Sequence, residues 1–550
     1  MKSIKLTPQR KEQLTQLWHN YRDRVDSHQI KYISEELDSI ASDWSRYKIK
    51  IQDETFNIDD YTNRINTDED QMPGGYLCNF LERTTKTVLG SSKPAGSALA
   101  FGVKLNLNGS YSIGIKRPNE TKETAIEVFD EEIKPLFEKV TLCTEPSHKA
   151  DLFENSKYPS KQILRKLSVL DHLNDFLFMY SDESIDALHD EIIDSETATN
   201  LGKNHEVRQV LNETFKMPND PVESVLLSKF MWNYVNAKVI ADADSPNVIL
   251  YGPPGTGKTY AVTQSLDFAC KGDGSRYEFV QFHPSFTYED FIEGIKPKGV
   301  TKDGNIKFEL TDGIFKKFCK RAKQNPDVDY YFVIDEINRA NLSSVFGETL
   351  LCLEKDYRHD VKTSDRIGLY KTQYSALIED MIKDGAPEDL AYHYEDGNAY
   401  FGVPKNVFFI GMMNDVDKSI DAFDLALRRR FKWIRKDCNY DVIEQNTRFR
   451  NGDEFTNIEE YVKCCNTLND YISKELNLGK SYEFGHSFFM KMGSISKLKQ
   501  ISSKNLDELF NLHLRPTLKE YLRALYSESD LESKLDLALI KFKSPLKRNK

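Results

Sequence analysis

The sequence lacks any run near the ~18 consecutive apolar residues that a membrane-spanning helix needs. Its opening, MKSIKLTPQRKEQL, holds no apolar stretch of the signal-peptide kind. The expectation is a soluble, cytoplasmic protein with no membrane partner. Cysteine is sparse: eight in 550 residues, at positions 78, 143, 270, 319, 352, 438, 464 and 465. None forms a C-x-x-C pair and no histidine cluster completes a zinc site, so scattered thiols in a reducing compartment are expected. Positive charge is also short. The net charge is -11 and the sequence pI about 5.6, whereas a dedicated DNA-binding domain is usually basic. Nucleic-acid contact is left to a local patch. The eleven histidines never form H-E-x-x-H, and no Ser–His–Asp arrangement is evident. Glu132-Ile133-Lys134 matches E-x-K, half of a nuclease signature. It sits in EVFDEEIKPLF, which has helical spacing and no acidic strand before it. The chain is not expected to be a nuclease. Internal repeats and low-complexity tracts are absent.

What is present can build a core: 39% hydrophobic, 29% charged and 11% aromatic residues. The length corresponds to roughly three or four domain-sized units. Residues 6 to about 50 have helical spacing, with Leu14, Leu17 and Tyr21 three or four apart. Residues 53–75 read as a loop. Val103, Leu105 and Leu107 alternate with polar residues, Asn108-Gly109 follows, and Tyr111, Ile113 and Ile115 alternate again. That pattern predicts a β-hairpin. A helix over about 121–140 and two or three more over 160–240 complete an α+β N-terminal region. Trp18, Trp44, Phe176, Phe178 and Tyr180 are read as core rather than as a base-stacking cage.

From residue 248 short apolar runs alternate with helices: VILY at 248–251, YEFVQF at 277–282, YYFVI at 330–334, VFFI at 407–410 and a weaker FKWI at 431–434. This predicts an α/β domain with a mainly parallel five-stranded sheet. Helix follows beyond residue 440, up to a basic tail read as a solvated terminus. The predicted segments are 1–95 (helical), 96–235 (α+β), 236–438 (the sheet domain) and 439–550 (a helical lid and tail).

After the first of these strands comes GPPGTGKT, Gly252, Pro253, Pro254, Gly255, Thr256, Gly257, Lys258 and Thr259, with Tyr260 in the helix that follows. Glycines let backbone N–H groups close on phosphate oxygens, and the helix N-terminus favours the anion. Lys258 then reaches the β- and γ-phosphates, and the Thr259 hydroxyl ligates Mg²⁺. The run YFVIDE ends a strand in two acids, 77 residues after Lys258. Ligands of open α/β sheets sit at that strand edge. Asp335 is the second Mg²⁺ ligand and Glu336 the residue that polarises water. The next strand ends in Asn414, an amide suited to hold that water or sense the γ-phosphate. Arg428, Arg429 and Arg430 end DAFDLALRRRF. Arg428 and Arg429 are candidate arginine fingers acting in trans; the alternative is a salt-bridged helix end. ATP or GTP with Mg²⁺ is the expected cofactor set.

These residues carry a resemblance that spans about 245–525. VQFHPSFTYEDFIEGIKP, VIDEINRANLSSVFGETLLCLEKDYR, VPKNVFFIGMMNDVDKSIDAFDLALRRRF and FGHSFFM resemble segments of the McrB-like AAA+ NTPases, motor subunits of methylcytosine-dependent restriction systems. The resemblance implies an AAA+ fold with a helical lid, a homo-oligomeric, hexameric ring and hydrolysis completed between subunits. It also implies a McrC-like nuclease partner and DNA as the target, and brings Asn338 and Arg339 to the site or its interface. One signature departs. The family commonly reads MNTADRS and this chain reads MNDVDKS, with Asp415, Val416 and Lys418 in place of Thr, Ala and Arg. That leaves ATP against GTP open. The stretch from Tyr357 to Tyr400 is longer than expected and is read as a decorated hairpin. Residues 98–190 are similar to a module found ahead of some family members, without a transferable binding residue. Three functions follow: a restriction or anti-phage motor, a MoxR-like protein remodeller, or a nucleotide-gated scaffold. Glu336 and Asn414 favour a true hydrolase over the scaffold.

Overall fold

The structure is a computed structural model and describes residues 3–62, 75–90, 102–106, 108–114, 117–156, 161–300, 304–363, 366–416, 425–449, 453, 455–523 and 525–547. Two compact units divide the chain, Met1–Ala237 and Lys238–Lys550. The expected segments 1–95 and 96–235 both fall in the first.

In the N-terminal unit the first helical stretch is two helices, Pro8–Arg22 and Ser27–Gln52. Each starts where a side chain accepts a first-turn N–H, Thr7 from Arg10 and Asp26 from Gln29. The second cap falls inside the span, 6 to about 50, that periodicity reads as helical. Val103–Leu105 pairs antiparallel with Tyr111–Ile113, as predicted, and Arg117–Glu120 adds a third strand. The ends of the predicted alternation, Leu107 and Ile115, lie outside the described residues, as does most of the 53–75 loop. Thr121 caps the next helix. It runs over Lys122–Val128, makes a wide turn over Phe129–Ile133 and continues as Lys134–Leu142, so Glu132 lies on helix. Among the described residues five helices follow: Pro146–Phe153, Lys161–Asp171, Asp182–Ile192, Asn200–Phe215 and Pro221–Val235. Trp18, Trp44, Phe176, Phe178 and Tyr180 are all buried.

In the second unit five strands build one sheet: β1 (Asn247–Gly252), β2 (Tyr277–Gln281), β3 (Tyr330–Asp335), β4 (Val407–Asn414) and β5 (Lys432–Arg435). Their order is β5-β1-β4-β3-β2, and every pairing is parallel. The central strands β1, β3 and β4 read as apolar runs because both faces are covered. Ile249, Phe332 and Phe409 face one core cluster, while Val248, Leu250, Tyr331, Val333, Phe408 and Ile410 face the other. Gly411 sits where β4 crosses beneath Ile337; a Cβ there would meet the Cδ1 atoms of Ile249 and Ile337 at 2.5 and 2.8 Å. Helix α1 (Lys258–Ala269) follows β1, and α2 (Ile314–Lys323) precedes β3. Between β2 and α2 stands an antiparallel hairpin, Glu293–Val300 with Ile306–Asp312, which the sequence reading did not anticipate. The 357–400 stretch contains a helix, Ser375–Lys383, and a short hairpin, His393–Glu395 with Asn398–Tyr400.

The segment after β5 is helical, as expected. Helices Ile458–Asp470, Ser503–Leu509, Arg515–Arg523 and Glu528–Lys547 enclose a core of their own around Tyr461, Leu468, Phe484, Leu518 and Phe542. No helix among the described residues is long and apolar enough to cross a membrane.

Candidate nucleotide site

Parallel strands end on the same side of a sheet, so β1, β3 and β4 deliver their last residues to one edge. At that edge Gly252, Asp335 and Asn414 are strand termini, and Asn414 stands in register with Gly252. The loop Pro253–Gly257 then turns the chain into α1. Gly257 makes the turn at φ +69, a left-handed conformation that costs little only in glycine. The first N–H groups of α1 have no intrahelical acceptor and face the loop's mouth.

Lys258 is 8% exposed. Its ammonium donates to the carbonyls of Gly252 at 3.2 Å and Pro253 at 2.9 Å, and to Asn414 Oδ1 at 2.9 Å. Burial lowers its pKa, opposed by the carboxylates of Asp415, Glu336 and Asp335. Asn414 uses its other end as well: Nδ2 donates to Glu336 Oε1 at 3.0 Å. One amide therefore spans the lysine and the glutamate. Glu336 itself has φ +51 and ψ 44, a conformation that costs a non-glycine residue about 1–3 kcal/mol. Its carboxylate is held by Asn414 and by the Arg339 guanidinium, whose Nε lies 3.3 Å from Oε2.

The Thr259 hydroxyl donates to Asp335 Oδ2 at 3.4 Å, while Asp335 Oδ1 accepts the Glu336 N–H at 3.0 Å. A hydroxyl and a carboxylate oxygen side by side at the foot of a phosphate loop are the hard oxygen donors that Mg²⁺ takes, so these residues fit the ion. Tyr260 is 65% exposed on the first turn of α1, and its hydroxyl accepts from Gln264.

The structure thus brings Lys258, Thr259, Asp335, Glu336 and Asn414 into one cluster. It places Arg428 and Arg429 outside it. The Arg428 guanidinium lies over the Trp433 ring at 5.0 Å. Arg429 is 69% exposed and 3.5 Å from Glu354, which Arg430 approaches more closely at 2.9 Å. Arg430 is the structural member of the triplet. Asn338 is buried behind the Glu336 turn.

Sequence reasoning missed two features here. Asp415, noted only as a departure from a signature, accepts from Arg435 of β5 at 2.8 Å and from Ser481 of the lid at 2.7 Å, tying the sheet edge to the lid. The lid segment 484–488 also touches the phosphate loop directly. The FGHSFFM string is visible in the sequence, but nothing local to it signals that contact.

A separate cavity of about 970 Å³ lies in the N-terminal unit, lined by Tyr21, Phe178, Trp232, Lys86 and Lys229 among others. Burial lowers the Lys229 pKa.

Residues 247–431 match the model of the AAA domain, dynein-related subfamily, and residues 460–528 match the McrB alpha-helical lid domain. Among curated proteins the chain is similar to the type IV methyl-directed restriction enzyme EcoKMcrB subunit of Escherichia coli K12. The identity is 37% over 279 residues, 50% of this chain and 53% of that protein. It is also similar to the type II restriction enzyme BsuMI component YdiS of Bacillus subtilis 168, 25% identical over 210 residues, 34% of this chain and 56% of that one. The chain spans about half the length of the curated relatives it matches.

Proposed function

From a chain whose AAA and lid segments belong to the McrB-like AAA+ family, we propose an NTPase that hydrolyses ATP or GTP as the hexameric motor of a McrBC-like restriction or anti-phage system. The observation that carries hydrolysis is the cluster in which Asn414 spans Lys258 and Glu336 while Thr259 meets Asp335. Loop N–H groups and Lys258 bind the phosphates. Glu336 takes a proton from water as the water oxygen bonds to the γ-phosphorus and the bond to the β–γ bridging oxygen breaks. Thr259 and Asp335 would hold Mg²⁺, which would supply charge neutralisation on the phosphate oxygens. Asn414 holds Glu336 in its left-handed turn, facing the loop.

Both curated relatives are named as restriction-enzyme components, which supports DNA as the target and a separate McrC-like nuclease as partner. The N-terminal unit is the proposed target reader. The deciding assay measures NTP turnover with methylated DNA, unmodified DNA and no DNA. Stimulation by methylated DNA is expected. Indifference to every DNA, with stimulation by an unfolded protein instead, would replace this reading with a MoxR-like remodeller. Competition between nucleotides tests the base: ATP is expected to be preferred, and a tenfold GTP advantage, about 1.4 kcal/mol, would reverse it.

A further inference from the structure

The cavity of about 970 Å³ in the N-terminal unit takes no part in the chemistry described above. Its volume is that of a small-molecule site, roughly 300–1,000 Å³. One wall is a face of the helix Pro221–Val235, to which Lys229, Trp232 and Asn233 belong at helical spacing. The segments 86–90 and 178–183 supply others. These walls are tied together by bonds of their own. The Tyr180 hydroxyl donates to the Leu89 carbonyl at 3.0 Å, the Lys166 ammonium to the Gly90 carbonyl at 2.6 Å, and the Phe178 N–H to Ser228 Oγ at 3.0 Å. The cavity is therefore built without using Lys229 or Trp232.

Those two side chains are the unmatched ones. Lys229 is partly buried, and among the described residues its ammonium has neither a hydrogen-bond acceptor nor a carboxylate partner. Burial lowers its pKa with no opposing carboxylate. A cation withdrawn from water without a partner costs free energy until an anion arrives. Asp182 at the rim is already engaged, 2.9 Å from Arg165 Nη1. A second cation, Lys166, is fully buried with its ammonium 5.7 Å from the Tyr180 ring centroid. Trp232 is 45% exposed and packs on no other ring among the described residues, whereas Trp18 in the same unit stacks on Phe215 at 5.8 Å. An indole left open beside a cavity offers a large flat surface to a planar ligand.

We propose that this cavity binds a small aromatic anion, its charged group on the Lys229 ammonium and its ring against Trp232 and Phe178. Asp182 and Glu183 at the rim are exposed and repel a polyanion such as a nucleic acid strand, while one inner ammonium matches one anionic group. A carboxylate and a phosphate share the chemistry that an ammonium recognises, and the test separates them. The proposal does not rest on the NTPase reading, because every residue it uses lies in the N-terminal unit.

The test is fluorescence titration of the full chain with anilinonaphthalene sulfonate, itself an aromatic anion, using wild type, Lys229→Met, Trp232→Ala and Lys258→Ala, with a probe-free thermal melt of each. A saturable site is expected in wild type. Lys229→Met is expected to weaken it about tenfold or more, the scale of one charge-assisted hydrogen bond. Trp232→Ala is expected to weaken it about threefold or more, the scale of lost ring packing, and Lys258→Ala to leave it unchanged. Because methionine keeps the apolar stem and removes an unpaired charge, the Tm of Lys229→Met is expected to equal or exceed that of wild type. In competition, naphthyl phosphate and naphthoate are expected to displace the probe, and their ranking identifies the preferred anionic group; naphthol and inorganic phosphate, each lacking one half of the chemistry, are expected to be weaker by about tenfold or more. No saturable site in wild type, wild-type affinity in Lys229→Met, or displacement by naphthol as strong as by the anions would overturn the proposal. So would a loss in Lys229→Met with a lowered Tm, which marks a packing role, or a loss confined to Lys258→Ala, which places the probe at the phosphate loop. Displacement by single-stranded DNA but by neither aromatic anion would overturn it as well and give the cavity to a nucleic acid.

Discussion

Lys258 is bonded to carbonyls of its own loop and to Asn414. Those acceptors satisfy an ammonium that burial would otherwise penalise, and the phosphates of a nucleotide are stronger acceptors in the same place. Lys258→Ala is therefore expected to abolish NTP binding in a filter or fluorescence assay. Glu336→Gln keeps the loop, Thr259 and Asp335, so it is expected to bind NTP normally while turnover falls by about 10²-fold or more, the scale of a lost general base. Turnover at the wild-type rate would remove Glu336 from its role. The clustering of these residues was legible in the sequence because each position is set by adjacent backbone: a glycine loop between strand and helix, two acids at a strand end, an amide at the next. His486 and Asp415 were not. Their positions beside Gly257 and Ser481 arise only when the lid folds back on the sheet edge.

At the level of elements, the central strands β1, β3 and β4 were readable because burial on both faces leaves apolar runs, while the edge strands β2 and β5 are only partly buried and carry Glu278 and Lys432. The third N-terminal strand, RPNE at 117–120, has no alternation and contains proline, so it carried no signal; it pairs as an edge strand, where a missing N–H is tolerated. The hairpin Glu293–Val300 with Ile306–Asp312 was hidden for a related reason. Its outer half is exposed, with Val300 68% and Phe308 61% accessible, and Pro297 and Gly299 break the pattern. The 357–400 stretch is anchored to β4's entrance by His359, whose N–H donates to Val403 O and whose carbonyl accepts from Lys405 N. Its Nδ1 meets the Tyr392 hydroxyl at 2.9 Å. Burial pushes the His359 pKa down to about 4, against about 6.5 in an unfolded chain. The unfolded state then binds a proton that the folded state refuses, so this histidine's contribution is intact above pH 6.5 and is lost progressively as pH falls towards 4. Thermal melts across that range are expected to show a declining Tm, with a shallower decline in His359→Gln. Identical slopes in both proteins would show that His359 is not the titrating group.

At the scale of the whole molecule, the question is what Arg428 and Arg429 do. Arg430 holds Glu354 at 2.9 Å and is only 10% exposed, whereas Arg429 is 69% exposed and stands farther from the same carboxylate. Exposed cations are cheap in water and contribute little to stability. Within one chain they lie apart from the Lys258–Glu336 cluster, so their catalytic use requires a second copy that brings its own site to them. We expect the chain to be a poor NTPase when dilute, with specific activity rising as rings form, and a hexamer to appear on sizing with a non-hydrolysable NTP. Arg429→Ala is expected to bind NTP and to lose about 10³-fold in turnover, as for a lost arginine finger. Mixing separates this from a local effect. Glu336→Gln subunits lack the base but keep Arg429, and Arg429→Ala subunits lack the finger but keep Glu336. An interface that joins the intact Glu336 of one to the intact Arg429 of the other has both groups, so the mixture is expected to regain part of the activity that neither variant has alone. A fully active monomer, or no recovery in mixed rings whose co-assembly is shown by differential labelling, would assign the arginines to local ion pairing with Glu354, as Arg430 already does.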